Sequence, residues 1–120
     1  MITEDYVSFE TAKLLKEKGF NELTPLSYSL PYGYESHIPC SNGVDTDFVS
    51  RITLQMAMKW LREVHHLTID VFHFRDWNVN IKTIPDDYFK ADYSYPELKP
   101  AETYEQACEA AIRYCLENLV

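Results

Sequence analysis

The chain has 120 residues and a formal net charge of −8, with 46% hydrophobic and 25% charged residues. That size suits one core, since halving it would leave each part short of buried apolar surface, and the composition excludes a wholly disordered chain. The charge is uneven: residues 1–49 hold eight acids against three lysines, 50–100 seven against seven, and 101–120 four against Arg113, which disfavours phosphate backbones and anionic membranes as partners.

Residues 8–19 carry the punctuation of a short helix. Ser8 can cap, Glu10 lies in the first turn, Lys16 and Lys18 in the last, and Gly19 suits the left-handed stop. Its apolar set, Leu14 and Leu15 with Phe20 and Leu23 beyond the stop, is thin, which places it at an edge of the core.

Residues 20–49 show no period. Pro25, Pro31 and Pro39 interrupt them and Tyr28, Tyr32 and Tyr34 fall close together, so they read as an irregular arm. Structureless stretches of this length are uncommon in compact domains and usually functional. Either the tyrosines anchor the arm to the domain or they await a partner.

From 50 to 120 the pattern reads helix, strands, helix. A cap at Ser50 or Thr53 opens a helix to about His65, with Leu54, Ala57, Leu61 and Val64 on one stripe and Met56 and Trp60 on a second row. The period then falls to two. Leu67, Ile69 and Val71, and after a tight connection Trp77, Val79 and Ile81, share one buried face of a hairpin. Tyr88 to Tyr95 offers a short third strand at an edge, because Pro85 and Pro96 bound it. Thr103 and Gln106 then have the spacing of a reciprocal cap for a helix whose stripe is Tyr104, Ala107, Cys108, Ala111, Cys115 and Leu119.

Three of these stretches, Thr53 to His65, Thr11 to Phe20 and Tyr104 to Glu117, together resemble a group of short proteins of phage-like and mobile elements in gut bacteria. The tyrosine-rich arm lies outside the resemblance. No activity, ligand or catalytic residue accompanies that group, so the resemblance implies context alone: an accessory protein acting by binding.

Motifs with chemistry are few. His37-x-x-Cys40 and His65, His66 and His73 use metal-ligand residue types, but a structural zinc site needs two close-spaced pairs and only one is present. Glu63 with His65 and His66 could supply acid–base chemistry for a hydrolase, yet neighbours on a helix diverge, and histidines ending a helix complement its terminal carbonyls. Asp45-Thr46-Asp47 resembles a calcium loop without its remaining ligands and reads as turn chemistry. No Gly-rich phosphate loop or nucleophile elbow occurs. A helix, three strands and a helix from Thr53 to Leu119 parallel the order of a double-stranded-RNA-binding module, but Glu102, Glu105 and Glu109 stand where such modules are basic. Carboxylates at both ends leave nucleic-acid mimicry open, although the charge also serves plain solubility.

The odd cysteine count, Cys40, Cys108 and Cys115, points to a reducing compartment, and Met1 to Glu10 lacks the pattern of a signal peptide. The expectation is a cytoplasmic α+β protein, a single domain over 1–120. A small antiparallel sheet of two or three strands is packed by two main helices, with a short N-terminal helix and the arm at the margin. The expected function is non-enzymatic protein binding through Tyr28, Tyr32, Tyr34 and His37, as a homodimer or against a host protein. No catalytic residue, metal or cofactor is expected; nucleic-acid binding or mimicry and a histidine hydrolase are the alternatives.

Overall fold

The computed structural model describes residues 1–84 and 98–120, in two compact units, Met1–Leu54 and Gln55–Val120. The class is mixed α+β, with three helices and small antiparallel sheets of two or three strands. The expected strand at Tyr88 to Tyr95 lies outside the described residues.

The first unit begins with helix α1, Phe9–Glu17. The Thr11 amide donates to Ser8 Oγ at its start. At its end the Gly19 amide donates to Lys16 O and the Phe20 amide to Leu15 O, while Gly19 holds φ +102°. This is a Schellman stop, which needs a residue free of Cβ strain at the left-handed position.

Residues 20–49 are not an irregular arm. They carry β1, Leu23–Thr24; β2, Ser27–Ser29; β3, Glu35–Ser36; β4, Cys40–Ser41; and the start of β5, Phe48–Ser50. β1 pairs with β4, and a second sheet has the order β3-β2-β5, all antiparallel. Strands of two or three residues are too short to display an alternating period, which hides them from pattern reasoning.

Polar side chains do much of the joining in this unit. Buried Asn42 donates from Nδ2 to Phe20 O at 2.9 Å and accepts the Ser50 amide on Oδ1 at 3.0 Å, linking the helix stop to β5. Ser27 Oγ donates to Ile38 O, and Asp45 Oδ2 accepts the Ser41 amide at 2.7 Å. Asp45 therefore closes a local turn. The apolar core is Val7, Ala12, Leu15, Phe20, Tyr28, Cys40, Val49 and Ile52.

The second unit is regular. Helix α2, Leu54–His65, follows Thr53 directly, whereas Ser50 belongs to β5. Leu54, Ala57 and Leu61 are buried, but Val64, expected on the same stripe, is 54% exposed. The stripe is therefore covered as far as Leu61 and opens to solvent at Val64, the last residue but one of the helix. β6, Leu67–Phe74, and β7, Asp76–Thr83, pair with Ile69 opposite Ile81 and Val71 opposite Val79, in the register that alternation requires. Arg75, at φ +67°, makes the turn, and Asn78 Nδ2 donates to Phe74 O and Asp76 O across it. Leu67 and Ile81 are buried on that face, while Ile69, Val71, Val79 and Trp77 are half-buried.

Helix α3, Tyr104–Asn118, starts where Thr103 Oγ1 accepts the Gln106 amide and lies against both β6 and β7. Ala107, Cys108, Ala111, Ile112, Cys115 and Leu116 are buried. Ile112 and Leu116 widen the expected stripe; Leu119 and Tyr104 are half-buried at its ends.

Candidate functional site

The expected binding residues separate into two environments. Tyr28 sits on β2, is 7% exposed, and donates its hydroxyl to Val7 O. It is a core residue with a satisfied polar end, so it does not belong to a contact surface. Tyr32 and Tyr34, in the turn between β2 and β3, are 78% and 69% exposed. Their ring centres are 6.1 Å apart at 51°. His37 is exposed just beyond β3, next to exposed Ile38.

The turn is held from both sides. The Gly33 amide donates to Ser29 O, the Ser29 amide to Tyr34 O and the Leu30 amide to Asp47 O. Gly33 has φ +80°, and a Cβ there would overlap the Phe9 ring. Phe9 opens α1, meets the Tyr28 ring edge-on at 5.7 Å, and carries Lys13 Nζ over its own ring at 4.5 Å. A helix end and a core tyrosine thus clamp the base of the turn while its two outer tyrosines stay in water.

The same unit contains a residue that sequence reasoning passed over. Arg51, just after β5, is 8% exposed, with its guanidinium carbon 4.7 Å from the Tyr6 ring centre and 5.6 Å from that of Tyr28. The available signal was an arginine inside the run Phe48-Val49-Ser50-Arg51-Ile52, two places from Val49 and so on the same face of an extended chain.

The histidines do not assemble a reaction centre within the second unit. His65 ends α2 with its ring edge-on to Trp60 at 4.7 Å, and burial pushes its pKa below the ordinary imidazole value, with His66 adding to the shift. His66 is exposed at φ +57°. His73 lies at the far end of β6 against Trp77, roughly 23 Å along the strand from His66 at about 3.3 Å per residue. Glu63 reaches Arg62 at 3.6 Å.

Cys40 is buried, with its Sγ 3.9 Å from Asn42 Oδ1, while His37 beside it in sequence is exposed, so that spacing does not form a ligand pair. Burial raises the thiol pKa of Cys40 and Cys108 and pushes that of Cys115 up to about 12. None has the lowered pKa of a nucleophile. Among the described residues no three His, Cys, Asp or Glu side chains gather as a metal site, and no helix is long and apolar enough to cross a membrane. Glu102 and Glu105 stand exposed at the start of α3. Comparison with known protein families, curated proteins and solved structures gives no match to this chain.

Proposed function

We infer that this chain is a non-enzymatic binding protein that engages a protein partner, a second copy or a host protein, through Tyr32 and Tyr34. The observation that supports this is the pair itself: two tyrosines, 78% and 69% exposed, held side by side on a turn whose base is clamped by Phe9 and Gly33. Tyrosine offers a large rigid surface with few rotatable bonds and a polar end, so it loses little entropy when covered and is enriched where proteins meet. A clamped turn lowers that entropic cost further. His37 and Ile38, also exposed, extend the surface.

The test is solution mass by light scattering at micromolar concentration, comparing the full chain with the variant Tyr32→Ser/Tyr34→Ser. Tyr28 is left in place because it belongs to the core. Self-association lost in the variant, with an unchanged circular dichroism spectrum, supports a self-interface. If the protein is monomeric, a photo-crosslinking residue at position 34 should capture a discrete host protein that Tyr32→Ser removes. A monomer that captures nothing discrete defeats the reading.

A further inference from the structure

The first unit holds a cation whose hydrogen-bonding capacity is unmet. The Arg51 side chain is 9% exposed and stacked beside the Tyr6 and Tyr28 rings. Ring faces attract the charge, but they do not satisfy a guanidinium, which carries five N–H donors in a planar fork. Its Nε is wholly buried and meets no acceptor among the described residues. The Glu35 carboxylate stands 3.9 Å from Nη1, outside hydrogen-bonding reach. Buried charges in folded proteins are paired and hydrogen-bonded, because desolvation is otherwise uncompensated.

Glu35 also shows the route in. Its side chain is 73% exposed yet approaches Nη1, and Tyr6, which flanks the guanidinium, is 39% exposed. A negatively charged group coming from solvent can therefore reach the Nη1 end of the guanidinium along the line that Glu35 takes.

We propose that Arg51 anchors a carboxylate-binding site, in which an incoming carboxylate takes the guanidinium fork in its plane against the Tyr6 ring and displaces Glu35. A planar carboxylate matches the fork with two parallel hydrogen bonds. One cation beside an acidic side chain suits a single negative charge better than a doubly charged phosphate. Glu35 is the internal stand-in: it occupies the approach loosely when no ligand is present. The carboxylate is that of a small organic acid or of a peptide chain end.

The experiment titrates the full chain with sodium acetate, against sodium chloride at matched ionic strength, and follows the Arg51 Nε–H signal by nitrogen-15 NMR. Acetate should move that signal saturably and chloride should not. Glu35→Gln keeps the shape and removes the competing charge, so it should tighten acetate binding about two- to fivefold, the range expected for an exposed ion pair. Arg51→Lys keeps the charge without the fork, so saturable acetate binding, read from the Tyr6 ring protons, should be lost. A short alanine peptide with a free C-terminus that binds more tightly than acetate, and loses that advantage when amidated, identifies a chain end as the source; equal binding identifies a small acid. Tyr32→Ser/Tyr34→Ser should leave the titration unchanged, which separates this site from the tyrosine turn. A linear, chloride-like drift in both wild type and Glu35→Gln, no gain in Glu35→Gln, saturable binding kept by a folded Arg51→Lys, or tighter binding of inorganic phosphate than of acetate would overturn the proposal. Because Glu35 is exposed, its variant keeps the test valid even if Arg51→Lys fails to fold.

Discussion

The unit Gln55–Val120 draws its buried side chains from two helices and a hairpin of regular period, whereas Met1–Leu54 buries Thr11, Thr24, Ser27, Asn42, Ser50 and Arg51 among its apolar residues. Among the described residues every buried polar side chain lies in the first unit. Long elements satisfy their own backbone groups, so their side chains are free to be apolar. Strands of two or three residues leave amides and carbonyls at every turn, and buried side chains must supply the missing partners. Each unit should therefore fail in its own way when a side chain is removed.

The largest effect is expected from Ile112→Ala. This α3 residue is fully buried, and the change removes apolar contact and leaves a cavity, costing about 3 to 4 kcal/mol in denaturant unfolding. Asn42→Ala is the counterpart in the first unit. It leaves the Phe20 carbonyl and the Ser50 amide without their partner and should cost about 2 to 3 kcal/mol. Asn42→Leu sharpens the contrast, because restoring apolar volume at that position should recover none of the loss.

Gly33→Ala should cost about 2 kcal/mol, since the residue sits at φ +80° and its new methyl group meets Phe9. The same change should loosen the tyrosine turn and weaken association in the light-scattering assay. A stable Gly33→Ala protein would show that the clamp does not hold the turn.

The smallest effect concerns pH. Cys115 is raised from the usual thiol value of 9.0 to about 12 by burial. A raised pKa means that the native state keeps a proton the unfolded chain releases. The contribution is fully present below pH 9, is lost as pH rises toward 12, and amounts to about 1 kcal/mol between pH 9 and pH 10. Cys115→Ala should flatten that part of the pH–stability curve, and an unchanged slope would place the alkaline loss elsewhere.

The same contrast explains what could be read from the chain beforehand. The α3 cap at Thr103 and Gln106, the α1 stop at Gly19 and the β6–β7 register all follow from local chemistry or from periods long enough to count. Val64 escaped, because periodicity gives a helix face but not the point at which its cover ends. Of the expected binding residues, Tyr32, Tyr34 and His37 are exposed and Tyr28 is not. Tyrosine spacing alone could not separate them, since the same side chain serves in a core when its hydroxyl finds an acceptor such as Val7 O.

By itself the sequence determined the mixed α+β class, all three helices and the long hairpin, because capping, period and turn chemistry act over neighbouring residues. Tertiary structure alone decided the order β3-β2-β5, the burial of Tyr28, the clamp of Phe9 on Gly33 and the placing of Arg51 beside Tyr6 and Tyr28. Those features join residues far apart in the chain, and such pairings depend on which surfaces remain once the local elements have formed.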